Sequence, residues 1–240
     1  MPGVDPRRPG IRAILFDKDG TLVDYAASWT PINARAIALA AEGDAALAER
    51  LRAAVGVDAG GRALSPTSIM AAGSAGEIAA ALVAAGARFE PAALTRALDD
   101  LFLAGVDDMV AVGDLPVILG RLSTRGLALG VASSDNEASV RAMAERFGIA
   151  DLLVFTAGWD SGHGAKPEAG IALAFAAAVG CGPREIAVVG DTGHDMGLAR
   201  AAGAGLAIGV LTGTGTRESL GAQADLVLDS VCDLERALFG

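Results

Sequence analysis

Four carboxylates, two serines and a lysine stand where short apolar runs end, or in the loops just after them. "ILFDKDGT" closes its apolar run on Asp17 and Asp19, and "VASSDN" closes on Ser133 and Ser134. "GAKPE" carries Lys166, and "VVGDTGHD" ends on Asp191 and Asp195. Residues two apart on an extended chain share a face, so Asp17 and Asp19 can lean into one crevice while Lys18 points away. Clustered carboxylates raise one another's pKa unless a cation lies among them. Oxygen donors without His or Cys select a hard cation, for which Mg2+ is the natural choice. A lysine, with a serine ahead of a helix N-terminus, forms a cradle for phosphate oxygens. Together these parts indicate phosphoryl transfer, the cation neutralising both nucleophile and substrate.

Such residues need a framework that brings them together. "RAILFD" reads as a first strand, followed later by "LALGVAS" (127–133), "LLVFTAG" (152–158), "EIAVVGD" (185–191), "GLAIGVL" (205–211) and "DLVLDS" (225–230). Helical patterns separate them: "EASVRAMAERFG", "PEAGIALAFAAAVG" with Pro167 near its start, and "DMGLARAAG". Strand and helix in alternation predict parallel βαβ units and a doubly wound, Rossmann-like α/β sheet. Ligands of such sheets bind outside the carboxyl ends of the strands, where the polar residues above fall. Residues 25–105 instead hold Ala-rich helical segments and no convincing strand, with a Gly-rich loop, "GVDAGGRALSPTS", between them. The expected organisation is a core of residues 1–24 and 106–240 with an inserted helical cap over 25–105.

Bulk composition narrows the partners. The 240 residues are 52% apolar but only 4% aromatic, so the core is built from Ala, Val, Leu and Ile. A formal charge of −10 argues against nucleic acid and anionic membranes as partners and calls for a local positive site if the substrate is an anion. Cys181 and Cys232 form no CxxC pattern, which gives a structural zinc no support and suits a reducing compartment. The start, "MPGVDPRRPGIR", lacks an apolar signal core, and "AGIALAFAAAVGCGP" is too short for a membrane span, so a cytoplasmic protein is expected. Monomer and homodimer are both compatible with this composition.

The four motifs, in this order and each at a strand end, resemble those of the haloacid dehalogenase superfamily. More narrowly, "VGDTGHDMGLARAAGA" and "GVLTGTGTRESL" resemble its phosphoglycolate-phosphatase-like branch, and the likeness runs from residue 11 to about 230. The resemblance implies a Mg2+-dependent phosphatase of small phosphate monoesters. In it, Asp17 is the nucleophile that forms an aspartyl-phosphate, and Asp19 protonates the leaving alcohol and then activates water. Asp17, the backbone carbonyl of Asp19, and Asp191 would hold Mg2+, with Asp195 either a ligand or a partner behind one. Ser133 and the N–H of Ser134 would grip phosphate oxygens, Thr21 belongs with the substrate-binding set, and Lys166 would balance charge between phosphate and Asp17.

Plainer readings compete with several of these. Asp-Gly is a common turn signal, serines and Asp195 also cap helices, and an isolated lysine is usually solvated. Within the inserted helices, Trp29 and Arg62 are candidates for contacting substrate, against a core role for Trp29 and a solvated one for Arg62. His163 and His194 fall in site loops, but the carboxylates already fill the proton-transfer roles. A phosphomutase of the β-phosphoglucomutase type would use the same core residues and require a catalytic bisphosphate. A dehalogenase would normally lack the second aspartate. A receiver-like signalling domain also gathers Asp, Ser/Thr and Lys around Mg2+, but is about half as long and has no insertion after its first strand.

Overall fold

The computed structural model describes residues 10–63, 65 and 68–240. The stretch "MPGVDPRRP", which begins the expected 1–24 segment and carries most of the signal-peptide reading, lies outside the described residues, as do Leu64, Pro66 and Thr67 of the Gly-rich loop. The apolar runs form six strands: β1 (Ala13–Phe16), β2 (Ala128–Ala132), β3 (Leu153–Ala157), β4 (Ile186–Gly190), β5 (Leu206–Val210) and β6 (Leu226–Leu228). They make one parallel sheet in the order β3-β2-β1-β4-β5-β6. The order in which strands are added changes sides between β1 and β4, while all remain parallel, which opens a crevice at their carboxyl ends. Register makes that crevice useful: Phe16 lies level with Val131 on one side and Val189 on the other. The residues that follow these three therefore arrive at one rim, and the Asp17 N–H still donates to Val189 O at 2.8 Å.

Alternation along β1 divides its side chains between two cores. Ile14 and Phe16 join the larger cluster, while Ala13 and Leu15 join the other. Helices α6 (Leu115–Thr124) and α7 (Glu137–Arg146) cover the first face, and α8 (Gly170–Ala178) and α9 (Gly193–Ala202) cover the second. Short helices α10 (Arg217–Gly221) and α11 (Leu234–Phe239) finish the chain. Burying each Leu, Ile or Phe of such a core contributes roughly 1.5–3 kcal/mol.

Between β1 and α6 the chain is helical, as expected: α1 (Tyr25–Ala41), α2 (Ala45–Val55), the one-turn α3 (Ile69–Ala72), α4 (Ala75–Ala84) and α5 (Pro91–Gly105). Helix α1 begins six residues before Pro31, where the helical pattern in the sequence starts. The Asp24 carboxylate caps it by accepting from Ala27 N–H at 2.9 Å, and Tyr25, Trp29 and Ile32 are buried along its length. The insertion leaves and returns at one place. Asp24 N–H donates to Val110 O at 2.8 Å, and Val112 N–H donates to Leu22 O at 3.0 Å. Another element shifts the other way. Helix α8 starts at Gly170 rather than at Pro167, because Glu168 N–H closes a turn on Ala165 O at 2.8 Å and holds Lys166 in a loop. No described helix is long and apolar enough to cross a membrane.

Candidate active site

Asp17 sits at the end of the central strand β1, 8% exposed. Lys166 Nζ donates to its Oδ1 at 2.5 Å and to Asp195 Oδ1 at 2.7 Å, so a single ammonium bridges two carboxylates. Asp195 Oδ2 accepts from the N–H and the hydroxyl of Thr192, at 3.0 and 2.7 Å, which closes a capping box at the start of α9. Both oxygens of Asp195 are thus engaged. Asp191, at the end of β4, accepts from Thr214 N–H at 2.7 Å through Oδ2, whereas its buried Oδ1 has no partner. One carboxylate oxygen from each of Asp17, Asp191 and Asp195 lies within 4.8 Å of the other two.

Two glycines permit this approach. A Cβ at Gly213 would fall 1.9 Å from Asp191 Oδ2, and one at Gly20 would fall 2.5 Å from the same carboxylate. Gly20 also has φ +83°, which disfavours a side chain on backbone grounds alone.

Burial governs the ionisation of the cluster. It pushes Asp17 up to about 7 despite the pull of Lys166, with Asp195 and Asp19 adding to the rise. Burial likewise raises Asp191 well above the usual carboxylate range, reinforced by Asp17 and Asp195. For Lys166 burial alone favours the neutral amine, but Asp17 and Asp195 outweigh it and move its pKa upward. An orphaned buried carboxylate oxygen, with two more carboxylates beside it and no nitrogen or sulfur donor in the set, fits a hard divalent cation such as Mg2+.

Asp19 faces the other side of the cavity. Its Oδ1 accepts from the indole N–H of Trp29 at 2.5 Å, and its Oδ2 pairs with Lys18 Nζ at 2.7 Å. Lys18 does not simply point away. It is fully buried, its ammonium turns back to Asp19, and it also pairs with Asp135 at 3.1 Å. A buried ammonium needs such counter-charges. The only two lysines of the chain are therefore both enclosed beside the site.

Ser133 and Ser134 line the cavity, and Ser133 Oγ accepts from Asp135 N–H at 3.0 Å, leaving its own proton free to donate. Trp29 lines it too, although its polar atom is committed to Asp19. Four residues are not brought to it. Thr21 is buried behind the turn. Arg62 is exposed, and its guanidinium pairs with Asp58 at 3.2 Å, four residues earlier on the same loop. Neither His163 nor His194 lines the cavity. Sequence reasoning passed over Lys18, Asp135 and Thr214 as parts of the site. The two charged residues carried a local signal, since each sits inside a motif next to a site residue. Met70, Ile78 and Phe102, which also line the cavity, carried none.

The model of the haloacid dehalogenase-like hydrolases matches residues 11–203. The chain belongs to that family. Among curated relatives, it is 34% identical over 116 residues to a phosphoglycolate phosphatase of Chromobacterium violaceum, covering 48% of this chain and 51% of that one. It is 31% identical over 121 residues to the phosphoglycolate phosphatase of Escherichia coli K12, covering 50% and 48%. The chain thus spans about half the length of these curated relatives. The fold extends further. A crystal structure of a predicted phosphoglycolate phosphatase from Haemophilus somnus 129PT superposes with a TM-score of 0.73 at 19% identity, covering 95% of this chain and 98% of that one.

Proposed function

We propose that this haloacid dehalogenase-like hydrolase is a Mg2+-dependent phosphatase that acts on a small phosphate monoester through an aspartyl-phosphate. The observation that carries the reading is the Lys166 ammonium, shared by Asp17 and Asp195 beside the unpartnered Asp191 oxygen. Asp17, the carbonyl of Asp19, and Asp191 hold the cation, and Asp195, with both oxygens engaged, positions Lys166. When bound, Mg2+ offsets the negative charge that meets at nucleophile and phosphoryl group.

The chain's own residues do the rest. Lys166 favours the ionised form of Asp17 and neutralises an incoming phosphate oxygen. The Ser133 hydroxyl and the Ser134 N–H orient the phosphoryl group. An Asp17 oxygen attacks phosphorus, the ester P–O bond breaks, and the departing alkoxide takes a proton from Asp19. Asp19 then removes a proton from water, whose oxygen attacks phosphorus. The bond to Asp17 breaks, and inorganic phosphate leaves. Helices α1–α5, entered at 22–24 and left at 110–112, are a cap that excludes bulk water, and these paired crossings are its boundary with the core. The substrate named by the relatives, 2-phosphoglycolate, is the first compound to test, and a cytoplasmic enzyme is the expected setting.

Phosphate release from a panel of esters, with and without Mg2+, tests this reading. Asp19→Asn is expected to slow alkyl phosphates far more than an aryl phosphate, whose leaving group needs no proton. Equal losses across leaving groups would remove Asp19 from the acid role.

A further inference from the structure

Resting on the phosphatase reading, we propose that the alcohol released is uncharged and apolar, a branched alkyl chain or a ring, because the cavity wall opposite the carboxylates is an aromatic and aliphatic surface whose polar tips are already bonded. The space between the two walls, open mouth and adjoining solvent included, is about 540 Å3. One side holds the acids and Lys166. The other is formed by Tyr25, Trp29, Met70, Ala72, Ile78 and Phe102. Tyr25 and Trp29 stack with centroids 6.2 Å apart, and Phe102 meets Trp29 edge-on at 5.0 Å. Aromatic residues make up only 4% of the chain, and Tyr25 is its sole tyrosine. Three rings drawn from so small a stock are gathered against this one cavity.

Both polar side-chain groups of that wall have partners. The Tyr25 hydroxyl donates to Met70 O at 3.3 Å, and the Trp29 N–H is held by Asp19. Ala72 N–H and Gly73 N–H donate to Ser68 O and Ile69 O, at 3.1 and 2.8 Å. Helix α4 presents its N-terminus near Ala75, but its own Glu77 carboxylate already sits there, accepting from Ser74 N–H at 2.8 Å. Among the described residues, Lys166 is the only cationic side chain that lines the cavity. A carboxylate or a row of hydroxyls placed on this wall would lose water and gain no side-chain partner from it. Charge works the same way. With Asp19 carrying the proton it donates, Asp17, Asp135, Asp191 and Asp195 are balanced by two lysines and a divalent cation, which leaves no positive charge over for a second anionic group beside the phosphate. The inference therefore departs from 2-phosphoglycolate, whose carboxylate would have to rest against the rings.

The test compares kcat/KM of the full chain with Mg2+ on four esters: 2-phosphoglycolate, isobutyl phosphate (nearly the same shape without the charge), benzyl phosphate and acetyl phosphate. Isobutyl phosphate is expected to exceed 2-phosphoglycolate by about tenfold or more, with benzyl phosphate at least equal to isobutyl phosphate. Turnover of 2-phosphoglycolate at or above the isobutyl rate would overturn the inference and leave the phosphatase reading standing. Inertness towards all four, acetyl phosphate included, would overturn both. Ala72→Arg supplies the missing cation and is expected to shift the ratio towards 2-phosphoglycolate by about tenfold. An unchanged ratio in the folded variant would count against the wall as the source of selectivity. Should that variant not fold, the comparison of esters in the parent protein still decides.

Discussion

Replacing Lys18 by Met isolates the contribution of a buried charge. The two side chains have similar length, so the substitution removes an ammonium with little loss of packing. The ammonium is fully buried and faces Asp19 at 2.7 Å and Asp135 at 3.1 Å, and the Asp135 side chain is only 3% exposed. Removing one member of a buried pair typically costs about 3–5 kcal/mol, because the remaining charge is stranded. For a chain of this size that corresponds to a fall in Tm of about 10 °C. Urea denaturation at pH 7.5, with a thermal melt beside it, measures the loss. Burial already raises the Asp135 pKa, and Lys18 opposes that rise. Without Lys18 the carboxyl protonates more readily in the folded chain. A group with a raised folded pKa contributes stability below its unfolded value and loses it as pH climbs through the folded one. The deficit of Lys18→Met relative to the parent is therefore expected to shrink between pH 8 and pH 5. Adding Asp135→Asn should recover about 2 kcal/mol or more of it. A deficit below about 1 kcal/mol, or one indifferent to both pH and Asp135→Asn, would refute the reasoning.

Other outcomes follow from the site geometry. Asp17→Asn should abolish phosphate release while the melting curve stays within a few degrees of the parent, since the amide oxygen can still accept from Lys166. Raised pKa values at Asp17, about 7, and at Asp191 mean that cation binding displaces protons, so the half-saturating Mg2+ concentration should rise as pH falls below 7. By the same linkage, the metal-free protein should lose stability as pH rises from 4 through 7, and Mg2+ should restore it, as thermal melts with and without the ion would show. Gly213→Ala should weaken Mg2+ binding, read by calorimetry, because its methyl would displace Asp191 Oδ2. Trp29→Phe keeps the ring contacts to Tyr25 and Phe102 but removes the N–H held by Asp19. It should lower kcat on alkyl esters by about tenfold, within the hundredfold or more that complete loss of acid catalysis costs.

Strand ends were legible in the sequence because their signal is local: an apolar run stops, a polar residue follows, and a parallel sheet collects all such stops at one rim. That is how Asp17, Ser133 and Asp191 could be grouped before any distance was known. Local signals misled where two residues had equal claims on the same pattern. Pro31 is a good first residue for a helix, yet α1 starts at Tyr25 because the aromatic face of Tyr25 and Trp29 gains more from burial than Pro31 costs inside the helix. An arginine in a Gly-rich loop is a fair candidate for an anion, but nothing nearby in the sequence says that Asp58 already occupies it.

By itself the sequence determined the sheet, the inserted helices and which polar residues stand at the strand ends, since each depends on the spacing of residues within a few turns of chain. The tertiary structure decided which groups touch. Lys166 reaches Asp17 across 149 positions, Trp29 and Lys18 close on Asp19, and Met70, Ile78 and Phe102 meet over the cavity from three separate helices. Those contacts arise from packing between whole elements, whose free energy is shared over many distant side chains and leaves no mark at any one position.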